Sequence, residues 1–172
     1  IQSFAFFRVA LLALGLVLSP SALLAENRKV VVLPTTDSTS YGLSESLQYG
    51  LGVLYQEAKR FDVFSATSGV QGFTPEAIQA TFESSPGDIL SFVYLEESRI
   101  SVFLFDRTRP SEFIVSWKSL NEENSAPLTS ELVETQFRAA YAEMLASYDQ
   151  NSFQSLPGGQ ATDNSMRVAR TE

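Results

Sequence analysis

Residues 89–120, ILSFVYLEESRISVFLFDRTRPSEFIVSWKSL, read as three strands joined by two turns. A strand with one wet face alternates apolar and polar residues, because successive side chains point to opposite sides. Much of this stretch does not alternate. Phe92-Val93-Tyr94-Leu95 and Val102-Phe103-Leu104-Phe105 are apolar at every position, so both faces of the sheet need cover. With Glu96–Arg99 as the first turn, Phe92 opposes Phe103, Val93 opposes Val102 and Leu95 opposes Ile100. With Thr108–Glu112 as the second loop, Phe105 opposes Val115 and Phe103 opposes Trp117. One face then collects Val93, Leu95, Ile100, Val102, Leu104, Ile114 and Leu120, interrupted by Ser91, Ser116 and Lys118. The other collects Leu90, Phe92, Tyr94, Phe103, Phe105, Phe113, Val115 and Trp117. A one-residue slip at either turn would exchange the faces beyond it.

Upstream, Lys29–Leu33 (KVVVL) is a short β-branched run ended by Pro34, a buried strand. A helix is expected over 43–60, where Leu43, Leu47, Leu51, Leu54, Tyr55 and Ala58 recur on one stripe. Gly50 and Gly52 cost it helix propensity, about 1 kcal/mol each against alanine, which close packing would explain. Phe61–Ala66 alternates as a second strand. Thr74-Pro75-Glu76 then starts a short helix over 75–83, with threonine as cap, proline in the first turn and a carboxylate at the positive end of the dipole. After the meander, a last helix over 128–148 aligns Val133, Phe137, Ala140, Tyr141, Met144 and Tyr148. The expected order is β-α-β-α-β-β-β-α, an α/β (α+β) sandwich on a mixed sheet. Two arrangements would satisfy the second face. Either the last helix crosses to it, or part of one face stays open as an interface.

The 172 residues suffice for one ordinary domain. Residues 1–25 read as a secretory signal: Arg8 supplies charge, Val9–Leu18 is the apolar run, Ser19-Pro20 breaks it, and cleavage is expected after Ala25. An uncleaved anchor is the alternative and would be the chain's one membrane contact, although the run is shorter than the roughly 20 residues that span a bilayer. Residues 26–150 form the domain, and the polar, Gly/Pro-containing residues 151–172 are expected to be a disordered tail. Loss of Arg8 leaves 11 Lys and Arg against 20 Asp and Glu, a net charge of −9. That balance argues against nucleic acid, which demands clustered cations. An acidic, cysteine-free exported domain fits a bacterial periplasm or cell surface, secreted and stable without disulfides.

Neither histidine nor cysteine occurs, which removes Ser-His-Asp and Cys-His nucleophiles and the usual zinc sites from this chain. The carboxylate pairs Glu96/Glu97 and Glu122/Glu123 flank turns. No phosphate cradle, S-x-x-K or calcium-loop pattern is present, and nothing implies a cofactor or a metal. The expectation is a chain that is not an enzyme. Two candidate sites remain. One is the aromatic sheet face, Phe92, Tyr94, Phe103, Phe105, Phe113 and Trp117, whose residue types anchor protein interfaces. The other is the strand–helix loop with Asp37, Ser38, Ser40 and Tyr41, where backbone N–H groups could hold a small anion, although these residues also serve as turn formers and caps. Arg107, Arg109 and Lys118 are the basic concentration of the meander, placed to steer an acidic partner or to end strands in water.

The run KVVVLPTTDS, the helix LSESLQYGLGVLYQEAKRFDVFS and the segment GDILSFVYLEESRISVFLFD together resemble the amino-terminal domain of TolB. They are also similar to α/β modules of cell-envelope assembly proteins, the CsgG-like and LpoB-like lipoproteins and the flagellar FlgT. The likeness covers residues 28–148. Arg60-Phe61-Asp62-Val63 stands at the "RF-hydrophobic" strand and Gly87-Asp88 at the turn into the antiparallel strands. Two features depart from the pattern: a polar tail stands where TolB carries a β-propeller, and no cysteine is present for acylation. The resemblance implies a non-catalytic binding or scaffolding role in the envelope, with envelope proteins as partners and no catalytic residues to transfer.

Overall fold

The computed structural model describes residues 26–39, 41–120 and 129–156. The expected signal (1–25), Ser40, the Glu122/Glu123 pair and the tail from 157 lie outside these. The elements run β1 (Arg28–Val32), β2 (Thr36–Asp37), α1 (Ser44–Glu57), β3 (Phe61–Ser65), α2 (Pro75–Glu83), β4 (Ile89–Glu96), β5 (Arg99–Asp106), β6 (Glu112–Ser119), α3 (Ser130–Asp149) and β7 (Gln154–Ser155). The seven strands form one mixed sheet in the order β3-β1-β4-β5-β6-β7, with β2 on β4 beyond the end of β1. This is the α/β sandwich that the element order implies.

Local chemistry sets the helix ends. Thr74 Oγ1 accepts from Ala77 N at 3.2 Å and Thr129 Oγ1 accepts from Leu132 N at 3.1 Å, so α2 and α3 are both threonine-capped. Helix α1 stops three residues short of Arg60 because Lys59 turns left-handed (φ 55°), a residue that ends a helix. Gly50 lies where a Cβ would come 3.2 Å from the Phe137 ring, so its absence lets α1 approach α3; Gly52 has no such neighbour closer than 3.7 Å.

The two-faced core follows from handedness. β1, β3 and β4 are mutually parallel, with β1 in the middle. The chain leaves β1 for β3 through α1, then passes back across β1 to β4 through α2. Right-handed crossovers in opposite directions place their helices on opposite faces. Accordingly α1 and α3 cover the aliphatic face, where Val93, Leu95, Ile100, Val102, Leu104 and Ile114 meet Leu51, Tyr55, Phe137 and Met144. Ile78 and Phe82 of α2 lie on the aromatic face, over Leu90, Phe92, Phe103 and Phe105. The last helix does not cross over; the shortest one supplies the second cover.

Register in the first hairpin is the expected one, with Phe92 opposite Phe103 and Leu95 opposite Ile100. In the second it is displaced by two residues: Phe103 opposes Val115, and Ser101 opposes Trp117. The loop is tighter than its sequence suggests. Asp106 accepts from Thr108 N and Oγ1, Arg109 N returns to Asp106 O, and Glu112 N to Arg109 O, so β6 begins at Glu112. A displacement of two preserves the side-chain parity, and the faces stay sorted as expected.

Two short strands escaped the sequence pattern. Pro34 has no N–H and interrupts β1, after which Thr36 and Asp37 rejoin the sheet beside Tyr94 and Leu95. Past residue 150, where the sequence suggested a disordered tail, Asn151 (φ 58°) turns the chain and β7 pairs with Glu112 and Phe113. Leu156 is then buried in the aromatic core.

Candidate protein-binding end of the sheet

Eight-residue strands at about 3.3 Å per residue run some 26 Å, whereas the nine residues of α2 at 1.5 Å rise cover about 13 Å. One helix this short cannot roof the aromatic face from end to end. It is fixed at the end where β5 finishes. The Arg107 guanidinium donates to Phe82 O (2.7 Å), Ser85 O (2.9 Å) and Gly87 O (2.7 Å), satisfying carbonyls at the end of α2. Gly87 relieves a close approach there, because a Cβ would come 2.5 Å from Val31 Cγ2.

The six aromatic candidates therefore divide. Phe92, Phe103, Phe105 and Phe113 are buried and packed together: Phe92 stacks on Phe103 at 5.0 Å and 7°, and Phe73 meets both edge-on. Of the two arrangements open in the sequence, these four take the internal one: they are core, under the cover that α2, Phe73 and Leu156 supply, and they drop out of the candidate interface. Trp117 lies outside that cluster, level across Ser101 of β5 with Tyr94, which packs against the cluster's margin. Tyr94 is half-buried and Trp117 is 39 % exposed, with half-buried Val115 beside it on β6. The Arg99 guanidinium sits 4.3 Å from the centre of the Trp117 ring, a cation–π contact that holds the indole against the sheet. Residue types alone did not single out Arg99, since its role depends on a cross-strand diagonal fixed by the register.

On the other side of β6, Ser116 and Lys118 point toward α3. Ser116 Oγ donates to Glu143 Oε2 at 2.9 Å, and Lys118 pairs with Glu143. Lys118 and then Ser116 hold the Glu143 carboxyl below the usual range. A groove of about 700 Å³ runs between the β6 edge at Val115–Ser119 and α3 at Glu143, Ala146, Ser147 and Gln150. The basic residues singled out in the sequence are thus all engaged within the fold, with Arg109 paired to Glu112 and lying over the Phe153 ring at 4.6 Å.

The loop candidates assemble differently. Asp37 Oδ1 accepts from Thr39 N (2.8 Å) and Thr39 Oγ1 (2.5 Å), and Oδ2 accepts from Leu43 N (3.3 Å) at the start of α1. Ser38 bonds Leu95 O through both its N and its Oγ. These groups organise the turn. Tyr41 is 46 % exposed, and its backbone N–H donates to Thr39 Oγ1 at 3.2 Å. A second groove, about 360 Å³, lies between α1 with its preceding Leu43 and residues Ser130–Arg138 of α3, and its walls are mostly apolar.

At the opposite pole, Asp106 is buried between strand ends. It receives Arg28 Nη1 at 2.5 Å and Nη2 at 3.1 Å, while Tyr148 completes the cluster. Burial opposes the charge on Asp106, but Arg28 and Thr108 outweigh it and keep the carboxyl below its ordinary range. This cluster ties β1, β5 and α3 together and is structural.

No protein-family model matches the chain, and no curated protein matches it. Among solved structures it is similar to a PelC dodecamer from Paraburkholderia phytofirmans, a point variant, at 12% identity over 69% of this chain and 88% of that one, with a TM-score of 0.47. A second PelC dodecamer from the same organism shares 14% identity over 70% of this chain and 86% of that one, with a TM-score of 0.39.

Proposed function

We propose that this protein is an exported, non-catalytic protein-binding or scaffolding module of the bacterial cell envelope, periplasmic or secreted, and that it meets its partner through the Trp117 end of the sheet. The observation that carries the reading is the partly exposed indole, braced by Arg99 and flanked by Val115 and Tyr94 where α2 stops short. Tryptophan and arginine are the residue types in which interface energy concentrates. The secretory pattern of residues 1–25 and the resemblance of residues 28–148 to envelope modules support the location. Small-ligand binding at the Asp37 loop is the weaker reading, because that carboxylate is occupied by its own turn.

The test is recovery of a defined partner after cross-linking in intact envelopes. Trp117→Glu should reduce recovery about tenfold, a loss of some 1.4 kcal/mol, while Tyr49→Glu on the far helix should leave it unchanged. Equal recovery by both variants would sink the proposal.

A further inference from the structure

Among the described residues β6 is an edge strand for most of its length, and the hydrogen bonds reveal which of its backbone groups point outward. Leu156 N donates to Ser111 O at 2.8 Å on the outer side, and Leu120 N donates to Ser98 O at 2.8 Å on the inner side. Backbone direction alternates with period two. Odd-numbered residues of β6 therefore turn their N–H and C=O outward, and even-numbered ones turn theirs to β5. β7 takes the outward groups at Phe113 and stops. The next outward sets, at Val115 and Trp117, have no strand beside them among the described residues.

Edges of this kind are commonly blunted by proline, a bulge or a projecting lysine. None of these operates here. Residues 112–119 contain no proline, and the β5–β6 register runs unbroken from Arg99↔Ser119 to Leu104↔Ile114. Lys118, the one cation on the strand, is drawn back to Glu143.

Resting on the protein-binding reading above, we infer that the partner binds by strand addition: an extended segment of a partner polypeptide pairs antiparallel with Val115–Trp117, in line with β7. The occupant follows from the chemistry of the edge. Donor and acceptor sets repeating every two residues, about 6.8 Å apart, match an extended backbone. β7 already shows the same edge accepting an extended chain, and the new strand continues that ladder into the groove between β6 and α3. The two sides of the groove dictate alternation in the segment. Residues whose backbone bonds Val115 and Trp117 place their side chains on the Trp117 side and should be apolar or aromatic. The residues between them face Ser116, Glu143 and Ser147 and should be small or polar.

A library of short random peptides is selected against the full chain, and the best binder is synthesised with single backbone N-methylations. Strand addition predicts a parity: methylation at alternate residues weakens binding about tenfold or more, and at the intervening residues less than about twofold. It also predicts slowed amide exchange at Val115 and Trp117 on peptide binding. Val115→Pro, which removes an outward N–H and spares the β5–β6 ladder, should weaken binding about tenfold with an unchanged unfolding midpoint. Because the methylated peptides act on unaltered protein, the result stands even if that variant folds poorly. A binder without parity, or one that protects Leu43–Val53 and Val133–Phe137 instead, overturns strand addition and leaves the protein-binding reading in place. Protection of Val115 and Trp117 that rises with protein concentration in the absence of peptide assigns the edge to a second copy and overturns the partner. If no peptide is enriched and Trp117→Glu leaves envelope recovery untouched, the reading and the inference fall together.

Discussion

Asp106 shows how one side chain can be both a liability and an anchor. It is 3 % exposed, a position where an unpaired carboxylate would be costly, yet Arg28, Thr108 and Tyr148 all address it. Its depressed folded pKa fixes the sign of its linkage. The contribution is fully present above the unfolded value, about 3.9, and is lost as pH falls through the lower folded value. Asp106→Asn should therefore cost about 2 kcal/mol at pH 7, a figure discounted for the partly exposed Arg28. It should also make urea midpoints less pH-dependent below about pH 4. Gly87 is a different constraint, purely steric. Gly87→Ala forces a methyl against Val31 and the Ile89 carbonyl, and chemical denaturation should record a loss of about 1–3 kcal/mol. Neither role is visible in sequence, where Asp106 ends a strand and Gly87 sits in an ordinary turn.

At the scale of elements, the aromatic face separates into roofed and open parts, and charge substitution distinguishes them. Phe103→Glu places a carboxylate under α2 and should cost more than about 3 kcal/mol, seen as a collapsed thermal transition. Trp117→Glu should shift stability by no more than about 1 kcal/mol, chiefly from the lost contact with Arg99. β7 makes a similar point about the tail. Leu156→Ala should cost about 2 kcal/mol, since it vacates a site within the aromatic core, and denaturant midpoints would register it. Long periodic elements were legible because their spacing repeats: Val133, Phe137, Ala140, Tyr141 and Met144 declare α3, and both faces of the meander sort correctly. β2 and β7 were not, because two residues carry no period. The two-residue displacement in the second hairpin was hidden for a related reason. Side-chain parity is the same in either register, and only the Asp106 turn decides between them. The same blindness extends to the candidate site. Trp117 was visible as an interface type, but its partnership with Arg99 and the open edge beside it depend on that register.

For the molecule as a whole, the single sheet makes two cores into one cooperative unit. Each strand of the meander contributes side chains to both clusters, so neither can melt while the other persists. Val102→Ala on the aliphatic side and Phe92→Ala on the aromatic side should each lower the midpoint of one shared transition, by about 2–4 kcal/mol in stability, with fluorescence and circular dichroism coincident. A probe-dependent transition in either variant would contradict that coupling. The doubly covered sheet also shows why handedness answers a question that composition poses. The apolar runs demand two covers, but the reversal of direction after β3 is what assigns α2 to the second side.

The Arg28–Asp106–Tyr148 clasp has a geographical consequence. It lies at the pole where β1 starts, while Trp117 lies level with Ser101, five residues along β5 from Asp106, or about 17 Å away. β1 starts at the first pole, and the indole looks out from the second. Strand ends gathered by a half-buried ion pair at one pole and an exposed aromatic at the other make the sheet a polar object, rigidly tied at one end and open at the other.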